Sequence, residues 1–496
     1  MLKKPAYLFE KLGRYIGIST FRGDFYDLSY PTYSALKLWN EEFSAFASIP
    51  VPNVIQLLGK KYNIPKEILK LFPFSQDDIS QAEKGTSCLT DITLNLTSRC
   101  NLRCAYCWND YGRYSNIGFR QKSRARPVQD NNDGQMPAEI AFKAVDMLVE
   151  LRGKDKDLVV DFYGGEPLMN LETLLATVDY CRKNQKNWGV NFNFLLATNA
   201  TLLTAEVAKK LFDQGVQIAV SIDGRRQVHD KNRSFPNGKS SFDQIVKNLK
   251  KMPNRIRKRL VGRTTVTPFY PYMVELYEDL RGLGFERIEL FESEDACHKI
   301  TPQRQKFFFN SDEQYRTLCH EYERLALHYI DEVARGFLDY RKTFFNRFFK
   351  LMQRLYYNHE VTGGCPAARG QFAVSAQGDI FPCTSFLGVQ EFKIGNVMKG
   401  LDKKRFDSFM KAVSGRFQHC KDCSVFMLCR TTGSCLNINY YFNSDPTLPY
   451  ERSCNLFREK LELAAATLAI LAAKIPDRLE ELFGFDAVGR RGNKLY

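Results

Sequence analysis

Ten of the fourteen cysteines in this 496-residue chain fall into two patterned groups. Cys100, Cys104 and Cys107 form a C-x3-C-x2-C triplet, and Cys365, Cys383, Cys420, Cys423, Cys429, Cys435 and Cys454 follow much later. Three thiolates can ligate three irons of a 4Fe–4S cluster and leave the fourth iron open. An open iron can chelate the amino and carboxylate groups of a small molecule. The alternative is a zinc site lacking one ligand; zinc usually draws a further Cys or His from nearby. None occurs between Cys107 and Cys181. Cys88, Cys181, Cys297 and Cys319 are scattered and read as ordinary core or surface thiols. The cysteines are expected to be reduced, since no signal core and cleavage site open the chain and a cytoplasmic location is expected.

The triplet directly follows an apolar run, DITLNLT, the first of six. The others are LVVDFYGG, NFNFLLATN, QIAVSID, RLVGRTTVT and RIELFES, with helical stretches such as PAEIAFKAVDMLVELR and TAEVAKKLFDQG between them. Six strand–helix units in series predict an α/β fold with a parallel sheet, open or curled into a partial barrel. Chemistry then belongs at the carboxyl ends of the strands. Polar motifs stand there in order: Gly164-Gly165-Glu166-Pro167, Thr198-Asn199, and Ser221-Ile222-Asp223-Gly224 followed by HDKNR with Arg233. Glycines let backbone carbonyls approach an ammonium group, and Glu166 adds negative charge. A guanidinium such as Arg233 suits a carboxylate by its bidentate geometry. Arg263 and Thr265 in the fifth strand also face the expected cleft. His229 and Asp230 fit either the site or a solvated loop.

Around this centre the chain divides into further regions. Residues 1–86 hold no patterned cysteine; YIGIST and DFYDLSY read as strands, TYSALKLWNEEFSAF and NVIQLLGKKYNIP as helices. FFNRFFKLMQRLYY reads as an amphipathic packing helix. The most apolar stretch, Leu463 to Ala473, is too short to cross a bilayer and reads as the buried face of a C-terminal helix. Apolar residues at 44% and aromatics at 13% exclude wholesale disorder. A net charge of +15 is spread along the chain, with local clusters at Arg120–Arg126 and Arg255–Arg259, and no recognition motif accompanies it, which argues against nucleic acid.

With Tyr106 placed before the third cysteine, residues from about 90 to 300 resemble the radical S-adenosylmethionine (radical SAM) superfamily. That resemblance implies a partial (β/α)6 barrel, S-adenosylmethionine, and one 4Fe–4S cluster on Cys100, Cys104 and Cys107. It also implies cofactor contacts from Tyr106, Gly164, Gly165, Glu166, Asn199, Ser221, Asp223 and Arg233. The later cysteines resemble the SPASM extension, with Gly378 at its place between Cys365 and Cys383. Five residues separate Cys429 from Cys435 where that pattern has three. The resemblance implies two auxiliary 4Fe–4S clusters: one on Cys420, Cys423, Cys429 and Cys454, another on Cys365, Cys383 and Cys435. The second would have an open iron able to bind a substrate thiolate near the radical, unless His359 fills it.

The first 86 residues are similar to the winged-helix-like peptide-recognition module of ribosomal-peptide maturases, which binds a leader as an added strand. The domains expected are 1–86, a radical SAM core at 90–310, a helical bridge at 311–360, the SPASM domain at 361–460 and a C-terminal helix and tail at 461–496. The implied activity is modification of a precursor peptide with a leader, forming a thioether crosslink, with a flavodoxin- or ferredoxin-type electron donor and no membrane partner. Epimerisation and carbon–carbon crosslinking suit the same scaffold. The alternative is a sulfatase-maturing, formylglycine-forming enzyme. That branch has an Asp base directly after the cysteine matching Cys383, where this chain has Thr384, and a hydroxyl is no general base at neutral pH. The alternative of another class is a non-enzymatic metal-binding scaffold.

Overall fold

The computed structural model describes residues 6–19, 25–43, 88–107, 134–293, 306–336, 346–357, 365–415, 419–420, 423–429, 435–479 and 482. The chain begins with a meander of three antiparallel strands, β1 (Ala6–Lys11), β2 (Arg14–Ser19) and β3 (Phe25–Leu28), followed by the helix Tyr30–Phe43. β1 was not read from the sequence. AYLFEK is too short and too charged to stand out, and it is a strand because β2 pairs with it along its whole length. The helix expected in NVIQLLGKKYNIP lies outside the described residues.

All six expected core strands form. β4 (Asp91–Asn95) leads to the short β5 (Arg103–Cys104); β6 (Asp157–Tyr163), β7 (Asn191–Thr198) and β8 (Val216–Ser221) follow; then come the short β9 (Arg233–Ser234), β10 (Val261–Val266) and β11 (Arg287–Glu292). Neighbours in the order β11-β10-β8-β7-β6-β4 are parallel. Helices end where the sequence supplies a stop: Gly189, with φ +64°, caps Leu171–Trp188 by donating to Gln185 and Lys186 carbonyls.

The carboxyl-terminal cysteine region is not a separate layer. β12 (Gln371–Val374) pairs in parallel with β4, and β13 (Asp379–Phe381), β14 (Gly395–Asn396) and β15 (Gly400–Leu401) continue antiparallel, giving one ten-stranded sheet. The β12–β13 turn explains the expected Gly378: its φ is +82°, and a Cβ there would lie 2.9 Å from Val397. The helix Glu451–Lys474 then runs through residue 460 without a break, and Leu463, Leu468 and Leu471 are buried, as the apolar pattern predicts. Buried Lys460 on this helix pairs with Glu292 at the end of β11, and the Tyr322 hydroxyl donates to the same carboxylate at 2.7 Å. Among the described residues no helix is long and apolar enough to cross a membrane. The helix Asn346–Tyr357 buries Phe348, Phe349, Leu351 and Met352, so FFNRFFKLMQRLYY packs as expected.

Candidate active site at the strand ends

Because β4, β6, β7 and β8 are parallel, their carboxyl ends bring the three cysteines and the polar motifs to one rim. The thiol loop is fixed there from two sides. On the first side it is zipped to the glycine turn: Gly165 N donates to Thr97 O at 2.8 Å and Glu166 N to Arg99 O at 2.9 Å. A Cβ on Gly165 would lie 2.1 Å from Arg99 O, and one on Gly164 would lie 2.5 Å from Thr97 O with φ at +142°. These glycines therefore serve the close approach of the thiol loop itself, in addition to any approach by a ligand.

Glu166 does not project into solvent. It is 1% exposed, and its carboxylate accepts from Thr198 Oγ1 (2.5 Å), Asn199 N (2.7 Å) and Leu168 N (3.1 Å), tying the end of β6 to the end of β7. Burial pushes its carboxyl up to about 7 against the pull of these three donors. Asn199 extends the clamp: Nδ2 donates to Asn101 Oδ1 at 2.8 Å, and Thr201 Oγ1 bridges Asn101 and Asn199. The Asn199 amide also lies 4.0 Å from Cys100 Sγ. Asn101 and Thr201 were missed in the sequence; their signal was adjacency to Cys100 and Asn199.

On the second side the loop is knotted to the segment after β8. β5 pairs with β9, placing Cys104 opposite Arg233, and Ala105 N donates to Asn232 O at 2.7 Å. At the centre of the knot is Asp223, fully buried. Its carboxylate accepts from the Tyr106 hydroxyl, from Asn232 Nδ2 at 3.0 Å and from Thr265 N at 3.0 Å, and it pairs with Arg233 Nε at 3.1 Å. Burial pushes its pKa up, but Arg233 and the other donors outweigh this and hold it below the usual carboxylate range. The Arg233 guanidinium also lies over the Tyr106 ring, 5.1 Å from its centroid. Asp223, Tyr106 and Arg233 are thus brought together as expected, but principally to hold one another.

His229 is buried, not on a solvated loop. Its Nδ1 accepts from Asp223 N at 3.1 Å, so the proton sits on Nε2, which faces Ser241 Oγ at 2.8 Å; the Ser241 hydroxyl donates to Arg233 O. Burial lowers its pKa to about 4, making it a neutral strut. Ser221 ends β8 half-buried, in register with Arg263. Arg263 pairs with buried Glu289 at 3.4 Å.

Within this frame Cys107 lies close enough to raise the pKa of Cys100, and Cys100 and Cys107 close enough to raise that of Cys104. Burial, the larger cause, pushes Cys100 and Cys104 up to about 12. Thiolates at such a site need a cation to compensate them, which suits a metal centre. Among the described residues no three Cys, His, Asp or Glu side chains converge on a single ion. Three neighbouring thiolates on one loop are a donor set that fits a 4Fe–4S cluster.

Among the later cysteines two sets of neighbours are described. Cys383 is buried and feels Cys365 and Cys435, despite the irregular spacing before Cys435. Cys423 and Cys454 both face Arg458. β12 is parallel to β4, with Gln371 opposite Asp91, so the open end of the β12–β13 hairpin lies toward the amino-terminal end of β4. Cys365 and Cys383 flank that end. At about 3.3 Å per residue, the level of Asp91 is roughly 13 Å from that of Asn95, where the thiol loop begins its approach. Cys365 and Cys383 thus lie toward the amino-terminal half of β4, whereas the thiol loop follows its carboxyl end. Thr384 Oγ1 lies 3.2 Å from Thr93 Oγ1, in the middle of β4. His359 lies outside the described residues.

The chain is similar to known proteins. An uncharacterized protein of Methanocaldococcus jannaschii is 29% identical over 40% of this chain, and the chain spans only 60% of that relative. A cysteine-type anaerobic sulfatase-maturating enzyme of Clostridium novyi is 24% identical over 74% of this chain and 91% of its own length. A solved structure, native anSMEcpe with bound AdoMet and Cp18Cys peptide, shares the fold with a TM-score of 0.61 and 19% identity, over 78% of this chain and 100% of that one. Residues 94–283, which contain the thiol loop, the glycine turn and the Asp223 knot, match the radical SAM superfamily and form the radical SAM domain of this chain, the fold of enzymes that use S-adenosylmethionine and a 4Fe–4S cluster.

Proposed function

We propose that this chain modifies a ribosomally made precursor peptide by radical chemistry, with the target residue held between two thiol groups. The observation that carries the reading is the placement of these groups, Cys100–Cys104–Cys107 after the carboxyl end of β4 and Cys365–Cys383–Cys435 toward its amino-terminal half. Cys100, Cys104 and Cys107 would hold the 4Fe–4S cluster, and the seven later cysteines two auxiliary ones. Bound at the rim, cluster and S-adenosylmethionine supply an electron and a 5′-deoxyadenosyl radical able to remove a hydrogen atom from carbon. The chain's own part is positioning. The Glu166 clamp and the Asp223 knot hold the thiol loop rigid, and Asn199, Ser221 and Arg233 line the rim where the cofactor would lie. The amino-terminal sheet, docked on the helix Glu451–Lys474, would receive the leader as a recognition module. A flavodoxin- or ferredoxin-type protein would supply electrons in the cytoplasm.

The finer outcome proposed is a thioether. A C–H and an S–H bond are lost and a C–S bond forms. One hydrogen atom leaves on 5′-deoxyadenosine, and the other leaves as a proton while its electron passes to the auxiliary centres. Formylglycine formation on a sulfatase is the second reading, favoured by the alignment with the Clostridium novyi enzyme and opposed by Thr384 in place of a carboxylate base.

The test is anaerobic turnover of reconstituted protein with S-adenosylmethionine, dithionite and two peptides, a cysteine-rich precursor with its leader and a sulfatase-derived cysteine peptide. A precursor lighter by two hydrogens with sulfur retained, together with 5′-deoxyadenosine, supports the thioether. Sulfide release and an aldehyde on the sulfatase peptide select the second reading. Bound zinc without iron, and no 5′-deoxyadenosine, would sink both.

A further inference from the structure

Cys454, Arg458 and Glu462 stand four residues apart on the helix Glu451–Lys474, a spacing that lines them along one face. Arg458 reaches off that face: Nη2 donates to Cys423 Sγ at 3.9 Å, while Nη1 donates to Asn455 Oδ1 at 2.7 Å. Its charge acts on both Cys423 and Cys454, which the radical mechanism leaves remote from the rim. One turn further on, Glu462 accepts the Tyr7 hydroxyl from β1. Lys11 pairs with Glu459, and Arg14 donates to Ala469 O at 3.3 Å, so the amino-terminal sheet is fastened along the same helix. Arg458 thus stands between the second cysteine group and the stretch of helix on which that sheet is fastened.

We propose that Arg458, held by Asn455, raises the reduction potential of the cluster held by Cys420, Cys423, Cys429 and Cys454. This rests on the reading of those four cysteines as cluster ligands. A fully thiolate-ligated cluster gains negative charge on reduction. A cation hydrogen-bonded to one of its sulfurs stabilises the reduced form more than the oxidised one. A half-buried site strengthens the effect, since less water screens it. Arginine suits the task because it is charged at every working pH and presents several donors in a fixed fork. Asn455 accepts from the other arm of the guanidinium and holds it against the helix. Arg458 is thus a positioning residue that touches a ligand sulfur and no substrate.

The experiment is an EPR-monitored redox titration of the full-length reconstituted chain in a Cys100→Ala/Cys104→Ala/Cys107→Ala background, where only auxiliary clusters contribute. Arg458→Gln is expected to keep its iron and to lower one of the two midpoints by enough to change the reduced-to-oxidised ratio about tenfold at fixed potential, which is about 59 mV for one electron. Arg458→Lys is expected to restore part of the shift. Unmoved midpoints with full iron in Arg458→Gln would overturn the proposal. Equal iron loss in Arg458→Gln and Arg458→Lys would overturn it too, as a purely structural role. A parent protein that binds no iron at these cysteines would instead overturn the ligand reading on which it rests.

Discussion

Replacing Arg233 by Met should strand a buried charge. Asp223 is fully buried and its side chain meets Arg233, Tyr106 and Asn232 together with the Thr265 amide. Arg233 alone carries the opposite charge in that set. Removing one partner of a buried ion pair costs about 3–5 kcal/mol, because the other is left uncompensated. Loss of the guanidinium from the Tyr106 face adds to this. The pH dependence has a definite sign. Arg233 holds Asp223 below the usual carboxylate range, so in the wild type its stabilisation is present above that range and is lost as pH falls through the lowered value. In the variant, burial acts unopposed by the guanidinium and raises Asp223. The acid then takes up a proton sooner as pH falls, and the gap to wild type narrows. Equilibrium urea unfolding of Arg233→Met, Asp223→Asn and the double variant measures all of this. The double variant should lose less than the sum of the singles by more than about 1 kcal/mol. A cost below about 1 kcal/mol for Arg233→Met, or strict additivity in the cycle, would refute the reasoning.

Three further outcomes follow from the same geometry. Gly165→Ala puts a methyl group 2.1 Å from Arg99 O, where backbone and not a flexible side chain must yield; a stability loss of about 1–3 kcal/mol or more and reduced iron on the Cys100 loop should appear in unfolding and iron assays. Glu166→Gln turns an amide N–H toward one of three donors, so about 1–3 kcal/mol should be lost. Because the Glu166 carboxyl is raised from 4.5 to about 7 in the fold, wild-type stability from this group should fall as pH rises between those values, and urea midpoints of the Gln variant should lack that slope. Cys104→Ala should abolish 5′-deoxyadenosine formation while leaving most auxiliary iron in place; retained cleavage would remove the thiol loop from the chemistry.

Much of this protein was legible in its residues. Six apolar runs separated by helical segments specified a parallel α/β sheet, because such strands can only be buried by helices on their faces. Motif order at the strand ends located the rim, because parallel strands send every carboxyl end to one side. Cysteine spacing divided ten thiols into groups, and Cys435 joined Cys365 and Cys383 even though its spacing was irregular. Tertiary structure alone decided what the individual motif residues do. The sequence suggested that Glu166 and Asp223 point at a ligand, and the fold gives each of them partners from other segments: Thr198 and Asn199 for Glu166, Tyr106 and Thr265 for Asp223. No local pattern reports such partners, since they are brought in by strand pairing and loop closure over 30 to 120 residues of chain. The register of β12 on β4 likewise set Cys383 toward the amino-terminal half of β4. Spacing along a chain counts residues, but only the direction in which a strand joins its neighbour fixes the end of the sheet those residues reach.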